Sequence, residues 1–235
     1  MSRRRLLIAL PIVAAVLLVG GPWLYINVIR EDPPERLTLS DVTTTTTEGD
    51  GSTSTPPSTQ PEGIEGEWVI GAGSVAGYRV QEVLFGQEAE AVGRTESVTG
   101  TMTISGTSVT ATEVIVDMTT VESDESQRDR QFQGRIMATD QFPTATFTLT
   151  EPIDLGAVPA DGEEATYTVT GDLTLRGVTR AVLFELVART NGTTIEAVGS
   201  IHIDFDGWDI PDASGGPAQV GRNGELELLL VFARA

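Results

Sequence analysis

The chain has 235 residues, 40% of them hydrophobic and 21% charged, enough apolar material for one sizeable core. With no cysteine and a single histidine, His202, it excludes disulfide frameworks, thiolate metal centres, cysteine nucleophiles and histidine-cluster metal sites. All 15 basic residues are arginine and stand against 34 acids, a formal net charge of −19 that makes nucleic acid a poor partner.

The charge is unevenly spread. Arg3, Arg4, Arg5 and Arg30 lie in the first thirty residues, and no acid does. Residues 1–5 therefore read as an arginine-rich cytoplasmic N-terminus. The apolar run Leu6–Ile29 can cross a ~30 Å hydrocarbon core at ~1.5 Å per residue. Trp23 and Tyr25 suit the outer interface. No clear small-residue cleavage site follows Val19, which favours an uncleaved signal anchor over a removed signal peptide. The positive-inside rule then makes this a single-pass protein of the cell membrane with its C-terminal domain outside the cytoplasm.

Residues 30–66 change composition abruptly. Asp32-Pro-Pro-Glu35, the threonine run Thr43 to Thr47 and the Ser/Thr/Pro stretch 51–61 offer almost nothing to bury. Such a segment is expected to stay disordered and to act as a spacer, with an end-to-end distance of roughly 30–36 Å.

From 67 to 235 the pattern is β. Apolar and polar residues alternate in 74–80, 114–118, 144–150, 165–170, 182–186, 196–203 and 225–232. Ser105-Gly106, Asp161-Gly162, Asn191-Gly192 and Asn223-Gly224 read as the turns between such runs. One helix is expected over about Glu122 to Phe132, capped by Ser123 or Asp124. About eight antiparallel strands and one short helix predict an all-β fold, either a closed barrel or a sandwich.

Several segments of this region resemble the YceI-like family of lipid- or polyisoprenoid-binding proteins. Trp68 with Ser74-Val-Ala-Gly-Tyr-Arg-Val80 is similar to its opening strand, and Gly93-Arg-Thr95 with Val98-Thr-Gly100 to its second. Val116-Asp-Met118, then Asp140-Gln-Phe-Pro143 with Ala145-Thr-Phe147, follow in the family's order. Gly171-Asp-Leu-Thr-Leu-Arg-Gly-Val-Thr179 is similar to its most specific signature. Gln81-Glu82 stands where the family has a histidine, and its aromatic–glycine pair is matched only loosely by Asp206-Gly-Trp208. The resemblance implies an antiparallel lipocalin-like β-barrel over 67–235, enclosing a long apolar molecule such as a polyisoprenoid or an isoprenoid quinone.

A barrel of about eight strands can be filled by side chains or can hold a ligand, and the spacing alone leaves both open. The inward faces carry Ala76, Gly100, Ala145, Gly171, Ala197 and Gly199 between large residues, a pattern that fits a lumen with room in it. Its expected lining is Tyr78, Val80, Met102, Val116, Met118, Phe132, Phe147, Leu173, Phe184, Ile203, Leu228 and Leu230. An apolar lumen binds by buried area, at ~25 cal/mol per Å², and requires no cofactor or metal. Arg128 and Arg135, near the helix, are candidates for a lipid headgroup, or else pair with Asp124, Glu125 or Asp129. Asp204-Phe-Asp-Gly-Trp-Asp209 lacks calcium-loop spacing and reads as an acidic turn. No nucleophile elbow, phosphate loop or dinucleotide fingerprint is present, so a binding protein rather than an enzyme is expected.

Overall fold

The computed structural model describes residues 33–39, 63–216 and 218–235. The apolar run 6–29 and residues 1–5 lie outside these. Among the described residues, no helix is long and apolar enough to cross a membrane.

The described residues form thirteen strands: β1 (Gly66–Ile70), β2 (Val75–Leu84), β3 (Gln87–Thr95), β4 (Val98–Ser105), β5 (Ser108–Asp117), β6 (Glu122–Ser123), β7 (Thr144–Leu149), β8 (Ile153–Asp154), β9 (Ala165–Leu175), β10 (Val178–Asn191), β11 (Thr194–Asp204), β12 (Ala218–Val220) and β13 (Asn223–Arg234). Eight of them pair in the ring β1-β4-β5-β7-β9-β10-β11-β13, which β13 closes onto β1. All these pairings are antiparallel, and the closure of the ring makes it a barrel and not a sandwich. Closure removes the exposed edges that an open sheet would offer to other chains.

β1 and β2 share one edge of β13. β1 pairs with Phe232–Arg234 and β2 with Glu225–Leu229. The break between them falls at Ser74, which is buried and accepts a hydrogen bond from the Val231 N–H at 2.9 Å while donating to the Gly71 carbonyl. A serine hydroxyl thus replaces the ladder bonds lost at the kink. Beyond it, β2 and β3 extend as a hairpin past the end of the ring. That end also carries the Arg176-Gly177 turn and the short 3-10 turn Phe205–Trp208.

The same end is covered by a lid. The helix predicted over Glu122–Phe132 begins later than expected. Glu122–Ser123 instead pair with Gly93–Arg94 of β3 as β6, and the helix spans Ser126–Gln131 before widening into a π turn over Phe132–Ile136. Ser123 does not cap it. Its hydroxyl donates to Asp129 Oδ1 at 2.6 Å, and the residue before the helix, Glu125, makes no side-chain cap.

The turn expected at Asn223-Gly224 is also absent. Asn223 faces Asp204 within the β11–β13 ladder, and a Cβ on Gly224 would stand 2.7 Å from Val80 Cγ2. The two-residue turns with positive φ at both central positions are Phe85-Gly86 and Arg176-Gly177. The second is tied to the lid by Arg176, whose Nε donates to the Ile136 carbonyl at 2.9 Å; Phe142, in the loop that follows the lid, seats where a side chain on Gly177 would be.

Part of the expected spacer docks on the barrel. Residues 33–39 lie against the outside of β2, β3 and β13, and Leu39 is buried. Arg36 pairs with Glu225, the Pro34 carbonyl accepts from Arg79 at 2.7 Å, and the Leu39 carbonyl accepts from Arg189 at 2.8 Å. Backbone carbonyls accept most of these bonds, so a segment with little apolar content can still be held. The first strand likewise begins at Gly66, and Ile64 accepts from the Trp68 indole at 2.9 Å.

Candidate functional site: the barrel lumen

Two clusters of buried side chains line the barrel. One lies under the lid around Val80, Met118, Phe132, Leu173, Phe184 and Trp208; the other lies at the far end around Trp68, Met102, Ile104, Val114 and Phe232. Between and through them runs a cavity of about 820 Å³. Its lining begins at Leu84, Phe85, Gln127 and Val220 beside the lid and ends at Ile64, Leu155, Val158 and Tyr167. On β9 alone the lining runs from Tyr167 to Leu175. At ~3.3 Å per residue and a strand tilt of ~40°, that span is roughly 20 Å along the axis. The cavity is therefore long and narrow, shaped for an extended chain rather than a compact molecule.

Tyr78, Val80, Met102, Val116, Met118, Phe132, Phe147, Leu173, Phe184, Ile203, Leu228 and Leu230 all line it. Strand alternation places most of them. Phe132 comes from the lid, where it stacks on Tyr78 with ring centroids 5.0 Å apart. Phe147 and Phe184 meet edge to face at 5.6 Å. Burial raises the pKa of the Tyr78 hydroxyl well above its ordinary value, against the opposing pull of Arg128.

The small residues divide in two. Ala76, Ala145 and Ala197 line the cavity and leave space beside them. Gly100, Gly171 and Gly199 do not. A Cβ on Gly171 would stand 2.3 Å from the Phe147 ring, one on Gly100 2.1 Å from the Glu113 carbonyl, and one on Gly199 3.0 Å from the Glu185 carbonyl. Gly93 seats Tyr78 in the same way, at 2.4 Å. These glycines admit neighbouring rings and backbone; they do not widen the lumen.

The charged groups around the cavity are paired. Arg128 lines it but forms ion pairs with Asp124 and, at 3.3 Å, with Glu82. Burial alone would lower its pKa; the two carboxylates more than offset this and raise it. Arg189, also in the lining, is held by Glu196 at 2.7 Å. Arg135 is not a lining residue. Its guanidinium donates to the carbonyls of Asp212 and Ala213, fastening the lid to the loop before β12. His202 is exposed on the outer face opposite Glu225, while its neighbours Ile201 and Ile203 point inward.

Sequence reasoning missed the lining from loops, including Ile64, Leu155, Val158 and Ile210. No periodicity marks an apolar residue in an irregular segment. It also missed Phe85, a hydrophobe in the first place of a two-residue turn that usually takes Asn or Gly.

Residues 68–232 match the model of the YceI-like domain. Over 105 residues the chain is 32% identical to a UPF0312 protein of Vibrio parahaemolyticus, a match covering 42% of this chain and 52% of that protein. Over 73 residues it is 37% identical to the YceI protein of Shigella flexneri, covering 31% of this chain and 34% of that one. The matched stretches thus span about half or less of these relatives' own length. Among solved structures, a polyisoprenoid binding domain from Saccharophagus degradans, implicated in plant cell wall breakdown, superposes with a TM-score of 0.59 at 14% identity. That superposition covers 73% of this chain and all of the other. BcnA of Burkholderia cenocepacia gives 0.51 at 19% identity, covering 66% and 95%. The domain model spans most of the sequence, residues 68–232, and the chain belongs to the YceI-like family.

Proposed function

We propose that this protein holds one long, uncharged isoprenoid, a polyprenol or an isoprenoid quinone, in its lumen and stores, carries or presents it without chemical turnover. The observation that carries this reading is the cavity itself: about 820 Å³, elongated, lined by aliphatic and aromatic side chains, with both of its lining arginines already ion-paired. A hydrocarbon chain gains by burying apolar area there. A diphosphate headgroup would have to compete with carboxylates for Arg128 and Arg189. The structural likeness to a polyisoprenoid binding domain supports the same ligand class. The apolar run Leu6–Ile29 would anchor the chain in the cell membrane, with the barrel on the extracytoplasmic side.

The test is mass spectrometry on an organic extract of the full chain, purified from a cell that makes polyprenols and quinones. The expected result is one neutral long-chain isoprenoid per protein. A folded protein that carries no lipid, and takes up none from its own host's membranes, would make the barrel an interaction module instead.

A further inference from the structure

The docked segment 33–39 runs in a definite direction. Arg36 pairs with Glu225, near the lid end of β13, and the Leu39 carbonyl meets Arg189, beside Glu196 at the level of Val231. The chain therefore enters the barrel surface from the lid end. Ile29, the last residue of the apolar run, lies four residues before Pro33, a reach of at most ~14 Å. On β2, Phe85 lies six residues beyond Arg79, whose guanidinium holds the Pro34 carbonyl. At a ~40° tilt that places the β2–β3 turn roughly 15 Å further toward the lid end. A four-residue link of that reach can therefore bring the end of the apolar run to about the level of the hairpin tip.

That tip is apolar and exposed. Val83 is 37% and Phe85 47% accessible, and the turn residues Leu84-Phe85-Gly86-Gln87 carry no charge. Phe85 sits at φ 52°, a conformation costly for a bulky side chain and easily met by Asn or Gly. A bulky apolar side chain kept there despite that cost calls for a role. Phe85 and Leu84 also border the cavity, with Gln127, Ala218 and Val220 around them.

We propose that the lid end of the barrel faces the bilayer in which the chain is anchored, that the Val83–Gly86 tip dips into the lipid interface, and that residues 33–39 form the strap that sets this orientation. The proposal rests on reading Leu6–Ile29 as a membrane anchor. The occupant of the tip is a lipid surface rather than a protein, because the chain's own reach brings that surface to it. Glu88 limits the depth, and the acidic barrel keeps the contact from spreading over anionic lipid. A ligand can then pass between bilayer and lumen beside Phe85 without crossing bulk water.

The chain has no native cysteine, so single cysteines can carry a fluorophore. Gln219→Cys lies exposed opposite Val83, and Ala160→Cys lies in the exposed loop at the far end. The labelled full chain is reconstituted in phosphatidylcholine vesicles containing acyl-chain nitroxide quenchers. The expected result is co-flotation with the vesicles and severalfold stronger quenching at 219 than at 160. Phe85→Asp should bring the 219 signal toward the 160 level with flotation retained, and so should Arg36→Glu combined with Leu39→Asp. Equal quenching at both sites in a co-floating protein, or stronger quenching at 160, overturns the orientation. A wild-type contrast left intact by the strap variant overturns the strap. A chain that does not float overturns the anchor reading and this proposal with it.

Discussion

Arg79 and Glu227 point away from the lumen, and yet both are sealed from water: they are 5% and 3% exposed, with Nε of one 2.7 Å from Oε1 of the other. Their neighbours Tyr78, Val80, Leu226 and Leu228 face inward, so strand alternation puts the pair on the outside. Residues 33–39 are what cover it. Arg79 also reaches Glu90 at 2.6 Å and the Pro34 carbonyl, and Arg94 approaches Glu227 at 3.2 Å. Burial alone would lower the pKa of the Arg79 guanidinium; Glu227 and Glu90 outweigh it and hold the value above the ordinary one. Burying such a pair costs hydration that the ion pair must offset.

Removing one partner should therefore be worse than removing both. Arg79→Leu leaves Glu227 covered and short of its main donor, and should destabilise the protein by about 3 kcal/mol. The double variant Arg79→Leu/Glu227→Leu should recover much of that loss. Urea unfolding of wild type, both single variants and the double variant closes the cycle. Strictly additive losses would show that the two charges do not depend on each other.

The lumen and its glycine seats predict opposite phenotypes. Ala145→Phe puts a ring into open space, so the barrel should fold while ligand occupancy drops severalfold in extracted-lipid mass spectrometry. Gly171→Ala drives a methyl into the Phe147 ring and should destabilise by roughly 1–3 kcal/mol. Gly199→Leu is the milder case, because its Cβ would stand 3.0 Å from the Glu185 carbonyl and 3.2 Å from Leu186, a lining side chain that would have to give way. If Gly199→Leu emptied the lumen at unchanged stability, the position would be a lining one after all.

The strands were legible because period-two alternation is a direct consequence of backbone geometry, and the strand residues it turns inward, from Tyr78 to Leu230, line the cavity. The glycines misled, since an absent side chain looks the same in sequence whether it leaves a space or seats a ring. The strap left a readable trace. Leu228-Leu-Leu-Val-Phe232 is apolar at consecutive positions, the pattern of a strand covered on both faces, and Leu229 is 1% exposed on the outer one. Leu37 borders the same outer pocket as Leu229, and both it and the buried Leu39 sit in a segment whose composition reads as spacer. The lid helix starts late because Ser123 is drawn into pairing with β3, a tertiary contact with no local signature.

Arg128 is predicted to be a structural residue of the lid. Arg128→Leu takes an ion-pair partner from Glu82, a carboxylate of β2 that is itself buried, and should cost about 1–3 kcal/mol in urea unfolding. Retention of a neutral polyprenol should be little changed, and wild type should not prefer polyprenyl diphosphate. A wild-type preference for the diphosphate that disappears in Arg128→Leu would place a headgroup at this arginine instead.

Tyr78 gives the barrel an alkaline limit. Burial is the main reason its pKa is raised, so in the folded state the hydroxyl keeps its proton at a pH where the unfolded chain, ionising near 10.0, has released it. In that window the unfolded state binds fewer protons, and stability falls as pH rises. The contribution is fully present below about pH 10 and is lost progressively above it. Tyr78→Phe should flatten this decline. Tyr167, also raised by burial, remains in both proteins, so the difference between their thermal midpoints isolates Tyr78. Midpoints compared from about pH 9 to about pH 11 should fall more steeply in wild type than in Tyr78→Phe. Parallel slopes would mean that the hydroxyl under Phe132 ionises as readily in the folded barrel as in water.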